Sequence, residues 1–85
     1  MDTPLFYVYA LQNPEGRLYI GSTQNLEERV KRHQDGGVRW TSSRGPWVLV
    51  YSEIHPTRSE AMKKEHALKT GKANQEFRRL LTRKP

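Results

Sequence analysis

The spacing of apolar positions changes several times along the chain, and each change marks an element. Residues 5–11, LFYVYAL, are aromatic and branched and predict a strand. Asn13-Pro14-Glu15-Gly16 has the residue order of a type I turn. Residues 17–21, RLYIG, then return as a second strand, giving a hairpin. Asn25 with Glu28 has capping-box spacing, so a helix starts near Leu26 and runs to about His33. Asp35-Gly36-Gly37 ends it. Residues 38–46, VRWTSSRGP, form a polar, basic loop. Residues 47–54, WVLVYSEI, predict a third strand, apolar on both faces in its first half and therefore expected to be well covered.

Thr57 with Glu60 is a second capping box, opening a helix from about Arg58 to Lys69 that Gly71 stops. Its apolar positions are Ala61, Met62 and Leu68. A third, short helix is expected after Asn74, with Phe77, Leu80 and Leu81 facing inward. The order is β-β-α-β-α-α. The hairpin imposes antiparallel pairing, so the expected fold is α+β: a small, three-stranded, mostly antiparallel sheet flanked by helices. The chain, residues 1–85, reads as one domain with its core at about 5–81.

Two helices break their own pattern. On the first, Leu26, Val30 and His33 share one face, and Arg29 shares it too. On the second, Glu65 lies four residues after Ala61 and three before Leu68, within the same stripe. The other acids sit at termini, turns, caps or polar faces. Each inward polar group has an ordinary explanation. Glu65 can pair with Lys69 at i,i+4, Arg29 can snorkel, and His33 can sit against the helix C-terminal dipole. Tyr7 and Tyr9 share one strand face, where tyrosine is favoured anyway. Together, however, Tyr9, Tyr19, Arg29, His33 and Glu65 are many polar groups for the core of an 85-residue chain, which buries only about 60% of its unfolded surface.

Composition narrows the possibilities. There is no cysteine, which excludes a disulfide framework and a thiolate zinc site and fits a reducing, cytoplasmic compartment. No apolar run approaches the roughly 20 residues that span a bilayer, and the first residues do not read as a signal peptide. The net charge of +6 resides entirely in residues 61–85, which hold eight basic side chains and two acids. Such a basic half is an electrostatic footprint for nucleic acid, although a solubilising surface accounts for a charge run equally well. No phosphate-binding P-loop and no HExxH motif is present.

The ordered set Tyr7-Val8-Tyr9, Tyr19-Ile20-Gly21, Thr23, Leu26, Arg29 and His33 resembles the core of a GIY-YIG nuclease domain. The later Thr41, Pro46, Leu49, Ala61, Glu65 and LKTGKANQEF extend the resemblance over about residues 5–81. It is nearest to stand-alone, single-domain members related to the N-terminal catalytic domain of the excinuclease of excision repair. The resemblance implies roles: Tyr9 and Tyr19 as the tyrosines of the two triplets, Arg29 as the helix arginine, Glu65 as the metal-binding glutamate, and His33 as a histidine of many members. Three positions depart from the pattern. Tyr7 replaces the first glycine, Ser22 stands where some active members carry lysine, and Asn74 is spaced short of a functional asparagine.

The implied activity is hydrolysis of DNA phosphodiester bonds. Two-metal nucleases need several converging carboxylates. One inward acid points instead to a single Mg²⁺ or Mn²⁺ at Glu65, completed by waters and phosphate oxygens. Arg29 would grip a phosphate oxygen. Tyr9 or Tyr19 would activate the water, with His33 assisting and with Arg29 and the ion favouring phenolate. Arg39, Trp40 and Arg44 in the loop, with Lys69, Lys72 and Arg78, would bind the DNA, including branched or structured forms. Two alternatives stand beside this expectation: a non-catalytic nucleic-acid-binding module, and a nuclease that is inactive until a protein partner supplies specificity.

Overall fold

The computed structural model describes residues 5–37 and 45–82. Its elements are β1 (Phe6–Gln12), β2 (Leu18–Thr23), α1 (Leu26–Gln34), β3 (Val48–His55), α2 (Arg58–Lys69) and α3 (Gly71–Thr82). The fold is α+β with the expected β-β-α-β-α-α order. The strands pair antiparallel in the order β2-β1-β3, so β1 is central.

Asn13 builds the hairpin turn. Its side-chain oxygen accepts from the backbone N–H of Glu15 at 3.1 Å and of Arg17 at 2.8 Å. The Gly16 N–H returns to the Asn13 carbonyl, and Gly16 takes a φ of 87°, which glycine adopts without strain. Both predicted N-caps are present. The Asn25 side chain accepts from the Glu28 N–H, and the Thr57 hydroxyl accepts from the Glu60 N–H. At α1 the reciprocal half of the box is supplied otherwise, because the Asn25 N–H donates to the Thr23 hydroxyl.

Helices cover both faces of the sheet, and strand alternation sorts the side chains between them. On one face Val8, Ala10, Leu18 and Ile20 pack against Ala61, Leu68 and Phe77 of α2 and α3. On the other, Tyr9 and Leu11 pack with Trp47 and are flanked by Tyr19, Leu26 and Val30. A bulge between Ala10 and Leu11 in the β1–β3 pairing turns Val50 and Tyr51 toward the α2–α3 side.

Four expectations need correction. β3 is an edge strand, and the apolar start of that strand is open, with Val48 60% exposed. Val48 and Leu49 belong to neither packed cluster, whereas Leu18 and Ile20 of β2, also an edge strand, are buried under α2 and α3. Met62 and Leu80 point outward, whereas Phe77 is buried and Leu81 half-buried. Finally, α3 begins at Gly71 rather than after Asn74. Thr70 is extended, the Gly71 φ of 60° redirects the chain, and the Asn74 N–H already bonds to the Thr70 carbonyl. Gly71 therefore ends one helix and opens the next.

This packing predicts that Phe77→Ala lowers the unfolding free energy in urea by about 3–5 kcal/mol. Leu80→Ala should change it by no more than about 0.5 kcal/mol.

Candidate active site

The site grows from the alternation of β1. Tyr9 faces α1, directly opposite Gly21 of β2. A Cβ at position 21 would lie 2.7 Å from the Tyr9 hydroxyl oxygen and 2.9 Å from its Cζ, and 3.2 Å from Cε1 of Tyr19. Glycine is needed here for space, so that the Tyr9 ring can lie across β2. The hydroxyl then meets Nε2 of His33 at 2.9 Å. Tyr9 is fully buried and His33 almost so, at 1% exposure. The Tyr19 ring stands 4.5 Å from the His33 ring and 6.3 Å from that of Tyr9, centroid to centroid. The histidine on the inner stripe of α1 is thus a satisfied polar group, paired with a tyrosine in the interior.

Burial governs the electrostatics. It pushes the Tyr9 hydroxyl far above the ordinary tyrosine range, and the neighbouring Tyr19 and Glu65 push the same way. Arg29 pulls in the opposite direction, as expected, but does not offset burial. Burial likewise lowers His33, with the Arg29 charge adding to it. At neutral pH the pair is a phenol and a neutral imidazole sharing one hydrogen bond.

Glu65 approaches from α2. The Ser22 hydroxyl of β2 donates to its Oε1, and Lys69 donates to its Oε2, both at 2.7 Å. The i,i+4 pair with Lys69 is therefore real, and so is the inward link to the sheet. The carboxylate side chain keeps 22% exposure, enough to meet a ligand. No group of three His, Cys, Asp or Glu side chains that could hold an ion occurs among the described residues. A lone carboxylate fits a hard ion that keeps most of its shell as water and phosphate oxygen, as Mg²⁺ does.

Two grooves flank this centre along β2. One, of about 280 Å³, is lined by Leu18, Tyr19, Ile20, Lys69, Asn74 and Arg78. The other, of about 290 Å³, includes Ser22, Arg29 and Arg58. Asn74 is committed to structure: its amide donates to the Leu68 carbonyl at 2.6 Å, and its oxygen accepts from Nε of Arg78 at 3.2 Å. Lys72 is exposed on the first turn of α3 and lines neither groove. Tyr7 faces a separate apolar groove with Leu26, Val30 and Leu49. Arg39, Trp40 and Arg44 lie outside the described residues. Sequence reading did not single out Arg58, which lines the second groove and, directly after the Thr57 cap, looked like an ordinary first-turn residue. It also missed a hydrogen-bonded trio on β3, Tyr51–Glu53–His55, which alternation puts on one face at the opposite edge of the sheet.

Residues 5–78 match the family model of the GIY-YIG catalytic domain. A UPF0213 protein of Desulfotalea psychrophila is 44% identical over 70 residues, which are 80% of this chain and 64% of that protein. The chain thus spans less than two thirds of that relative. A UPF0213 protein of Staphylococcus haemolyticus is 40% identical over 73 residues, covering 85% of this chain and 89% of the relative. The solution NMR structure of a UPF0213 protein from Bacillus halodurans aligns with a TM-score of 0.56 and 34% identity, over 95% of this chain and 88% of that one.

The buried neutral His33 predicts a pH dependence of stability. The unfolded chain binds a proton near the ordinary histidine value of about 6.5, and the folded chain only at lower pH. The unfolding free energy should therefore fall as pH drops below about 6.5. In urea melts between pH 7 and pH 5.5, His33→Gln should show a shallower decline than the native chain. Equal slopes would contradict a neutral, buried His33.

Proposed function

The chain belongs to the GIY-YIG family of catalytic domains, and on that premise we propose that it is an endonuclease that hydrolyses DNA phosphodiester bonds with one divalent ion. The observation that carries this reading is the gathering of five polar side chains around β2: His33 meets both Tyr9 and Tyr19, Glu65 is bonded to Ser22, and the charges of Arg29 and Glu65 both act on Tyr9. Glu65 would hold Mg²⁺ or Mn²⁺, whose charge neutralises the phosphate and acidifies water when bound. Ser22 and Lys69 fix the carboxylate by both oxygens, which orients it without a second acid. Arg29 touches the Tyr9 hydroxyl but forms none of the ion pairs found among the described residues, so no carboxylate matches its charge and it suits a phosphate oxygen.

Burial separates the roles of the two tyrosines. Tyr9 is sealed from solvent and bonded to His33, so it suits positioning. Tyr19 is half-buried and lines the groove shared with Lys69 and Arg78, so it suits the base that takes a proton from the attacking water. The Tyr9–His33 pair holds the Tyr19 ring in place through the ring contacts. Lys69 and Arg78 support a DNA backbone running past Tyr19. No helix among the described residues is long and apolar enough to cross a membrane.

Labelled single-stranded, duplex, flap and branched DNAs incubated with Mg²⁺ or Mn²⁺ test the reading. Native protein should cut at least one of them. Glu65→Gln and Arg29→Ala, verified as folded, should each lose at least about a hundredfold in rate. Tyr19→Phe should lose about as much and flatten the rise of rate with pH, whereas Tyr9→Phe should lose less and keep the rise. Binding without cleavage of any substrate would instead indicate a binding module.

A further inference from the structure

Lys69 and Arg78, beside Tyr19, place basic groups at one end of β2. A strand held only there would be free to swing about the reacting phosphate. The groove at the other end of β2 is lined by both Arg29 and Arg58, together with Phe6, Ser22 and Asn25. Arg58 sits at the start of α2, with its guanidinium carbon 5.5 Å from the centroid of the Phe6 ring. That contact holds the cation over an aromatic face, which occupies none of its N–H groups with a carboxylate. No ion pair found among the described residues involves Arg58. A guanidinium held over a ring, without a carboxylate and in the same groove as one assigned to a phosphate, suits a second anion.

Resting on the nuclease reading, we propose that Arg58 binds the phosphate next to the scissile one, on the side away from Lys69 and Arg78. The scissile phosphate would then lie between two anchored flanks of one strand, with Arg29 at the centre. Arg58 contributes to holding the substrate rather than to the chemical step. Its loss should therefore raise KM while kcat is kept.

The test is equilibrium binding of a fluorescein-labelled DNA, of the form the native protein cuts best, with Ca²⁺ in place of Mg²⁺. Native, Arg58→Met and Arg58→Lys proteins are compared over a range of salt. Arg58→Met should bind about tenfold more weakly and lower the slope of log K against log salt by about 0.9, one phosphate's worth on duplex DNA. Arg58→Lys should keep the native slope. Single methylphosphonates, which remove one phosphate charge each, then locate the contact. One position adjacent to the cut should weaken native binding and leave Arg58→Met binding unaffected. Native affinity and slope in a folded Arg58→Met protein, or a loss that no single methylphosphonate reproduces, would overturn the proposal while leaving the nuclease reading intact. Failure of the native protein to bind any DNA would overturn both.

Discussion

The hydrogen bond between Tyr9 and His33 fixes the geometry on which the rest of the site depends. It joins the central strand to α1 at a point with no solvent, where a polar group needs a partner. The bond exists because Gly21 lets the Tyr9 ring lie across β2, and because the Asn25 cap sets where α1 begins. With those constraints met, His33 is placed against Tyr19, and Arg29, one turn earlier on the same helix, is placed beside the Tyr9 hydroxyl.

The two faces of the sheet divide the work. The α2–α3 face is an ordinary apolar core of valine, alanine, leucine, isoleucine and phenylalanine. The α1 face gives up part of its apolar packing to a tyrosine pair, a histidine and an arginine. In so small a protein this is a substantial concession, because total stability is only about 5–15 kcal/mol. Glu65 belongs to α2, yet it reaches β2 through Ser22, so the helix that stabilises one face also delivers the carboxylate to the end of the sheet. Sites that require polar groups in a packed interior commonly trade stability in this way.

What could be read in the sequence was mostly local. The caps at Asn25 and Thr57 and the Asn13 turn depend on neighbours a few residues away. The inward set Tyr9, Tyr19, Arg29, His33 and Glu65 was visible because helical and strand periods place residues on faces. What could not be read depends on the order of elements in space. The open start of β3 follows from which elements pack over it, which no local pattern encodes. Met62 and Leu80 are apolar residues on exposed faces, common on protein surfaces. Asn74 resembled a functional asparagine but closes the α2–α3 junction. The place of Arg58 in the groove with Arg29 was invisible because its neighbour Phe6 is fifty-two positions away in the chain.

The central claim is that the polar stripe of α1 is held for chemistry and not for stability. Arg29→Leu measures both on one protein, through its urea unfolding free energy and its cleavage of the substrate the native chain cuts. Leucine suits an inner helix position, and Tyr9, though it loses Arg29, keeps its bond to His33, so stability should change by less than about 1 kcal/mol while cleavage is lost. A protein destabilised by about 2 kcal/mol or more, which would mark Arg29 as a structural partner, or one that cleaves at the native rate, would contradict it.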